Sequence, residues 1–215
     1  RIEGDVDALG KGIARCSRLT DLLLAFNYNQ IQGALQALGE GIGKCIQLAC
    51  LRLVFSDNRI QGDLEAVGEG IGLCTQLADL RLVFSDNRIE GTLRALGVGI
   101  GYCIQLASLQ LTFNNNRIGG DLHEIGEGFG QCANLVYISL SFRRCQIEGD
   151  FKSLGDACQR CSKLATFYLY LRGTTVSMAV LREIFAGKLP TSVCEGFVEA
   201  ADGGVLAREW QTLRG

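Results

Sequence analysis

The segment QLACLRLVFSDNRI, residues 47–60, decides the fold, because it recurs 29 residues later as QLADLRLVFSDNRI at 76–89 with one substitution. Further copies divide residues 2 to about 176 into six uninterrupted units. The units begin at Ile2, Ile31, Ile60, Ile89, Ile118 and Ile147. Units 31–59 and 60–88 agree at 23 of 29 positions. This self-similarity predicts a repeat array in which each unit buries its apolar face against the next.

Each unit contains one strand pattern and one helix pattern. Apolar residues alternate from residue 51 to residue 55, which predicts a strand with one buried face. Downstream, an apolar stripe has the i, i+3, i+7, i+10 spacing of one helical face. That stripe is formed by Leu64, Val67, Ile71 and Cys74. The sequence therefore predicts an α/β solenoid with parallel strands on its concave face and helices on its convex face.

The pattern L-x-x-L-x-L-x-F-x-x-N-x-I-x-G, as in residues 48–62, resembles the leucine-rich repeats of the ribonuclease-inhibitor-like length class. It carries two extra residues between the strand core and the asparagine. In this respect, and in its G-x-G-I-G-x-C segment, it is similar to repeats in large proteins of ciliates and dinoflagellates. The resemblance implies a solenoid that binds other macromolecules, with partners that differ from case to case.

Several columns of identical residues have structural interpretations. The asparagine column holds Asn29, Asn58, Asn87 and Asn116, with Cys145 and Thr174 at its place in the last two units. Small polar groups there are expected to satisfy backbone groups of the turns. The main glycine columns are Gly10, Gly39, Gly68, Gly97, Gly126 and Gly155, and Gly12, Gly41, Gly70, Gly99 and Gly128. Glycine costs about 1 kcal/mol relative to alanine inside a helix, so we expect close helix packing to offset that cost.

The cysteines also follow the repeat. Six of the ten form one column: Cys16, Cys45, Cys74, Cys103, Cys132 and Cys161. They are therefore a repeat position, and we expect the CQRC segment at 158–161 to combine two core positions whose cysteines are buried as small apolar residues. A redox or zinc role for that segment is the alternative. The only histidine, His123, falls in a column of solvated helix residues, so no metal or cofactor site is predicted. Unpaired thiols favour an intracellular, reducing compartment, the cytoplasm more than an organelle interior.

The sequence does not indicate catalysis or nucleic-acid binding. LGEGIGKC at 38–45 resembles a phosphate-binding loop, but Leu38 replaces the first glycine and Cys45 replaces the hydroxyl residue. The column of Lys44 holds Leu73, Tyr102 and Gln131 in later units, so no nucleotide site is predicted. No Ser/His/Asp set is present outside the repeat pattern, so no catalytic residue is assigned. A net charge of −2 gives no basis for nucleic-acid binding, and no apolar run is long enough to insert into a membrane.

A protein partner is predicted to bind the concave face, where positions vary between units. The candidates are Arg52, Arg81, Gln110, Tyr137, Tyr168 and Tyr170, with Arg143, Arg144 and Arg172 beside the late strands. Tyrosine and arginine are enriched at binding hot spots, so the late end is the preferred site. The alternatives are an ordinary solvated sheet face, and an interface formed by the ends of the solenoid.

The domain organisation follows the periodicity. Residues 1–175 form six repeats, whereas residues 176–215 are expected to form a C-terminal helical cap or the start of a linker. This tail is expected to contain a helix over 176–187 and a final helix with Trp210. Because the chain begins inside a unit, we expect further residues or another subunit to cover its N-terminal edge. The sequence therefore predicts a non-catalytic scaffold within a larger protein or assembly. A regulatory array attached to a catalytic domain elsewhere is the second hypothesis.

Overall fold

Two parallel sheets and a row of helices form the solenoid in this computed structural model, which describes residues 2–149, 151–185, 193 and 195–199. The six strands that the alternating pattern predicts, together with a strand at Glu195–Glu199 that it does not predict, form a seven-stranded parallel sheet, here called the inner sheet. Its members are β2 (Asp21–Ala25), β4 (Cys50–Val54), β6 (Asp79–Val83), β8 (Ser108–Thr112), β10 (Tyr137–Ser141), β12 (Thr166–Tyr170) and β13 (Glu195–Glu199). Each strand pairs with the next at an offset of 29 residues, for example Leu51 with Leu80.

The structure also contains a second sheet, here called the outer sheet. The sequence predicted only one strand in each unit, so the predicted unit was incomplete. The strands that form it are β1 (Glu3–Asp5), β3 (Gln30–Ala34), β5 (Arg59–Gly62), β7 (Arg88–Gly91), β9 (Arg117–Gly120) and β11 (Gln146–Ile147). Four of them, β3, β5, β7 and β9, contain the I-x-G segment of their unit, whose glycine has a positive φ, +89° at Gly62. A residue with a side chain is strained in that conformation, which explains the glycine.

The pairing offsets of the two sheets show the direction of curvature. In the outer sheet the offset is 27 residues, as between Gln61 and Arg88, so equivalent residues slip by two positions between neighbouring strands. With strands about 4.8 Å apart and a slip of about 6.6 Å, equivalent residues lie about 8 Å apart in the outer sheet and about 4.8 Å apart in the inner sheet. When neighbouring units are related by one screw rotation, equivalent residues that lie farther from the screw axis are spaced more widely. The inner sheet is therefore on the concave side, as predicted.

The helices lie between the two strands of each unit along the chain. Their bounds are α1 (Val6–Ile13), α2 (Gln36–Gly43), α3 (Glu65–Leu73), α4 (Arg94–Tyr102), α5 (His123–Phe129), α6 (Lys152–Arg160) and α7 (Met178–Phe185). The predicted stripe of Leu64, Val67, Ile71 and Cys74 is completely or almost completely buried. Helix α7 lies within the expected helix at 176–187. The α/β repeat solenoid predicted from the sequence is confirmed.

The glycine columns allow neighbouring helices to touch through their backbones. A Cβ atom added to Gly99 would lie 2.0 Å from the carbonyl oxygen of Gly68 in the preceding unit. A Cβ atom on Gly97 would lie 2.3 Å from the carbonyl carbon of Glu124 in the following unit. Real Cβ atoms do not approach backbone atoms so closely, so these contacts require glycine. The expected tight helix packing is confirmed.

The asparagine column joins neighbouring coils by hydrogen bonds. The Asn87 Nδ2 atom donates to the carbonyl oxygens of Phe55, Phe84 and Ser85 at 2.8 Å, 3.1 Å and 3.1 Å. Its Oδ1 atom accepts from the backbone N–H of Ile60 at 3.1 Å. At the same place in a later unit, the Cys145 thiol donates to the Phe113 carbonyl at 3.1 Å. A row of phenylalanine rings packs beside it, with centroids 5.4–6.2 Å apart; Phe55, Phe84, Phe113 and Phe142 stack, whereas Phe26 is tilted by 35° against Phe55.

Strand pairing continues beyond residue 175. Strand β13 pairs with β12 at the same 29-residue offset, with Leu169 opposite Val198. Helix α7 is anchored by Phe185, whose ring lies 5.5 Å from that of Phe167. The expected final helix with Trp210 lies outside the described residues. The interpretation of residues 176–215 as a cap or a linker stays a prediction.

Candidate functional site

The solvent-facing side of the inner sheet, here called the inner face, is formed by the strand positions that vary between units. Arg52, Arg81, Gln110 and Ser139 lie opposite one another on successive strands, and Tyr168 continues the row on β12. A parallel row runs from Val54 through Val83, Thr112 and Ser141 to Tyr170. The predicted candidates on these strands therefore share one face, with a spacing of about 4.8 Å between strands.

At the early end of the inner face, on β4 and β6, Arg52 forms an ion pair with Asp79. The Arg52 Nε atom donates to the Asp79 Oδ2 atom at 2.8 Å, and a second guanidinium N–H donates to the same oxygen. The Arg52 side chain nevertheless remains 45% exposed. Arg81 is exposed and lies opposite Arg52, so the two like charges are neighbours. Because Asp79 offsets one charge, this end is less suited to recognising an anionic partner.

The late end of the inner face contains an aromatic group, here called the tyrosine cluster. The rings of Tyr137 and Tyr168 meet edge to face with centroids 6.1 Å apart, and those of Tyr168 and Tyr170 stack at 6.2 Å. The Arg143 guanidinium lies 4.7 Å from the centroid of the Tyr170 ring, within the range of a cation–π contact. All three tyrosines are half-buried. The structure therefore joins four predicted candidates into one preorganised surface.

Arg144 and Arg172 lie next to this cluster, in the loops that follow the inner strands. With Arg143 they line one end of a polar pocket of about 490 Å³, whose other end contains Asp57 and Asp86. Arg144 has φ +56° and occupies the position held by Asp57, Asp86 and Asn115 in earlier units. The loop edge is thus acidic in the second and third units and basic in the fifth and sixth. Sequence reasoning missed this pocket, although the repeat columns contain the charge change.

Five of the six column cysteines are buried in the core, whereas Cys16 in the first unit is exposed. The Cys103 sulfur lies 3.5–3.7 Å from the carbonyl oxygens of Ile71, Cys74 and Gly99, which are alternative acceptors for its one S–H group. Burial raises the pKa of Cys103 to about 12 and that of Cys74 to about 11, so both thiols are protonated at neutral pH. Cys158 and Cys161 are completely buried core residues. The described residues contain no group of three or more His, Cys, Asp or Glu side chains that could hold a metal.

We expect thiol labelling to separate two classes of cysteine. At pH 8 the thiolate fraction of Cys103 is at least about a hundredfold below that of an ordinary thiol, because its pKa is raised. Iodoacetamide should therefore modify the exposed Cys16 in the folded protein long before Cys103. Mass spectrometry of timed samples measures both rates, and urea should abolish the difference. Equal rates in the folded protein would show that the column is accessible and not part of the core.

The glycine-rich segment at 38–45 is not a phosphate-binding loop. Its glycines belong to α2, and Gly39 and Gly41 are buried against the neighbouring helices. Lys44 is exposed at the helix end. His123, the first residue of α5, is also exposed, as its column predicts. Among the described residues no helix is both long and apolar enough to cross a membrane.

Comparison with known proteins gives similarities of fold only. No protein-family model matches the chain, and no characterised protein matches it by sequence. The LRR ectodomain of the receptor kinase SOBIR1 from Arabidopsis thaliana is 23% identical over 59% of this chain, with a TM-score of 0.41. The chain spans 58% of the length of that ectodomain.

Two further solved structures align over longer parts of the chain. A plant ice-binding protein is 17% identical over 93% of this chain and 72% of its own, with a TM-score of 0.47. An internalin from Listeria monocytogenes is 14% identical over 90% of this chain and 88% of its own, with a TM-score of 0.28. The present fold is an α/β repeat solenoid. This assignment rests on the repeating strands and helices of the chain itself.

Proposed function

We propose that the chain is a non-catalytic scaffold that binds a protein partner through the late end of its inner face. The observation that carries this proposal is the contact between the tyrosine cluster and Arg143. Tyrosine and arginine side chains contribute much of the energy at protein interfaces when they are held in a packed surface. Here the rings hold one another, so little side-chain entropy remains to be lost on binding.

The charges beside the cluster indicate the chemistry of the partner. Arg143, Arg144 and Arg172 lie in the fifth and sixth units at the loop edge, whereas the acidic lining residues of the same pocket, Asp57 and Asp86, belong to the second and third units. Three arginines favour an acidic segment, because a guanidinium binds a carboxylate through two parallel hydrogen bonds. We infer that the partner presents an acidic segment beside an apolar or aromatic group that packs on the tyrosines.

The backbone of Arg144 supports a binding role at this edge. The left-handed conformation costs an arginine about 1 kcal/mol, a cost that Asp57, Asp86 and Asn115 at the equivalent positions largely avoid and that Tyr28 in the first unit shares. Arg144 is thus a poor choice for local stability. Residues in unfavourable conformations are frequent at binding sites, which favours selection for function here.

The free cysteines and the net charge indicate the compartment and the class of partner. The described cysteines are nine free thiols, which supports a reducing compartment. A net charge of −2 supports a protein partner over a nucleic acid. We propose that the repeats are leucine-rich repeats of the ribonuclease-inhibitor-like length class, similar to those of ciliate and dinoflagellate proteins, within a larger protein or assembly.

Quantitative co-purification from the native source tests the proposed face. The variant combines Tyr168→Ser and Tyr170→Ser, because serine occupies both equivalent positions, Ser139 and Ser141, in the preceding unit. We expect the amount of the main bound partner to fall about tenfold or more, since two hot-spot side chains are removed. Mass spectrometry of the bound proteins measures the loss.

The matched control changes the early end of the same face. Arg81→Gln introduces the residue that the next unit carries at the equivalent position, Gln110, and should leave partner binding unchanged. Circular dichroism checks that both variants keep the fold, because the half-buried rings of Tyr168 and Tyr170 pack on each other whereas Arg81 is exposed. Retention of the partner by the tyrosine variant, or its loss by Arg81→Gln alone, would move the interface away from the tyrosine cluster.

A further inference from the structure

The helix row carries a second unusual surface, remote in sequence position from the tyrosine cluster. On α3 and α4, Leu73, Val98 and Tyr102 are 59%, 50% and 61% exposed. Other units hold polar or charged residues at these columns. They are Lys44, Gln131 and Arg160 for the column of Leu73 and Tyr102, and Glu40, Glu69, Glu127 and Asp156 for that of Val98. Three neighbouring departures from the repeat produce one local apolar patch.

The patch borders a groove between α3 and α4 of about 910 Å³. Its lining includes Gly68, Gly72 and Gly99, so helix backbone forms part of its surface. A Cβ atom on Gly72 would lie 3.2 Å from the Gly99 Cα atom and 3.3 Å from the Tyr102 ring. Because these glycines let the two helices touch, helix backbone forms the floor of the groove, and the exposed Leu73 and Tyr102 side chains flank it. The volume lies within the range of about 300–1,000 Å³ that is usual for ligand sites.

The charged residues around the groove are mostly acidic. Asp63, Glu65 and Glu69 line the groove, and Arg94 is the basic residue among the lining side chains. Within the described part of the chain, neither Glu65 nor Glu69 forms an ion pair. An adjoining pocket shares Val98 and Tyr102 and adds Glu124 and Glu127. Glu127 is paired with Arg160 at 3.2 Å, whereas the other carboxylates named here give the groove its negative character.

We propose that this groove binds an amphipathic helix of a second protein, with an apolar face flanked by lysine or arginine. An amphipathic helix inserts residues at i, i+3 or i+4 and i+7 into an apolar groove, and basic flanks complement the acidic rim. A second copy of this chain would bring two acidic rims together, which disfavours self-association. The same charge repels an anionic membrane. This surface is independent of the inner face, so the chain has two docking faces.

Peptide binding tests the proposal with three synthetic probes of about four helical turns. The first has leucines on one face and lysines beside them; the second replaces the lysines by glutamates; the third keeps the lysines and replaces the leucines by serines. Calorimetry or fluorescence anisotropy measures each dissociation constant against the whole chain. We expect the first probe to bind at least about tenfold more tightly than either of the others, because apolar anchors and charge both contribute. Equal binding of the lysine and glutamate probes, or no binding of the first, would overturn the proposal.

The repeat supplies variants that are expected to fold. Val98→Glu and Leu73→Lys introduce residue types that the preceding units already carry at the equivalent positions, Glu69 and Lys44. Together they should weaken the first probe about tenfold or more without lowering the unfolding temperature. Glu65→Gln with Glu69→Gln should weaken it severalfold and reduce its salt dependence. Unchanged affinity in the apolar variant would exclude the groove as the binding site. A wild-type dimer that the apolar variant dissociates, seen by sedimentation, would assign the patch to self-association instead.

Discussion

Replacing Gly99 by alanine is expected to lower the free energy of unfolding by about 3 kcal/mol, at the upper end of the usual cost of overpacking. The new Cβ atom would lie 2.0 Å from the Gly68 carbonyl oxygen and 2.9 Å from its carbon. These are backbone atoms of a packed helix, so they cannot rotate away as a flexible side chain would. Alanine gains about 1 kcal/mol of helix propensity, which does not offset the displacement of α3 from α4. Urea unfolding followed by circular dichroism measures the loss.

Gly12→Ala is the matched control for this variant. Gly12 occupies the same column in α1, but a Cβ atom there has no other atom within 4 Å. Alanine at this position is expected to raise stability by up to about 1 kcal/mol, the helix-propensity gain alone. The same substitution should thus have opposite effects at the two sites. If Gly99→Ala were as stable as Gly12→Ala, close helix contact would not be the reason for the glycine columns.

Replacing Asn87 by alanine is expected to cost about 3 kcal/mol, because several backbone groups between coils lose their partner. The variant leaves the Phe55 and Phe84 carbonyl oxygens without the Asn87 amide donor and the Ile60 N–H without its Oδ1 acceptor. Water reaches this partly buried position poorly, so the lost bonds are not fully replaced. The midpoint of urea unfolding should fall accordingly.

Asn87→Cys separates hydrogen bonding from side-chain size. At position 145 a cysteine already occupies this column, and its thiol donates to the Phe113 carbonyl. Cysteine at position 87 should therefore destabilise the protein less than alanine does, because one donor contact is kept. Equal losses in the two variants would show that the polar contacts of Asn87 contribute little to stability.

Most of the fold could be predicted from the repeat, because the strand, helix and glycine patterns recur in successive units along the chain. The alternation from residue 51 to residue 55 identifies the inner strand, and the stripe from Leu64 to Cys74 identifies the helix. The glycine columns predict helix contact because their cost in helix propensity needs a structural reason. Repetition converts weak local signals into a strong one, since the same pattern occurs in six units.

The outer sheet could not be predicted in the same way. Its strands have only two to five residues and include the glycine with positive φ, as at Gly62, so they lack a clear alternating pattern. Their hydrogen bonds run between units, and the pairing offset of 27 residues differs from the sequence period of 29. Such a strand is determined by the stacking of coils and not by its own composition.

The sequence predicted which face the candidate residues share, but it did not predict the contacts between their side chains. Alternation along the strands placed Tyr137, Tyr168 and Tyr170 on one face, and the register confirms that location. The ion pair of Arg52 with Asp79 and the contact of Arg143 with Tyr170 depend on side-chain rotamers, which the sequence does not determine. The apolar patch on α3 and α4 was visible in the columns as Leu73, Val98 and Tyr102. Sequence reasoning missed this patch because it considered variable repeat positions only on the strands.

Photo-crosslinking in the native source tests the central proposal most directly. The photoreactive residue p-benzoylphenylalanine is placed at position 168, where it preserves an aromatic ring, or at Glu90 on the exposed side of the outer sheet as a control. Irradiation followed by mass spectrometry identifies covalent protein adducts at each position. Binding through the tyrosine cluster predicts a specific adduct with one partner from position 168 and none from position 90. An adduct from position 90 alone, or equal adducts from both positions, would contradict binding through the tyrosine cluster.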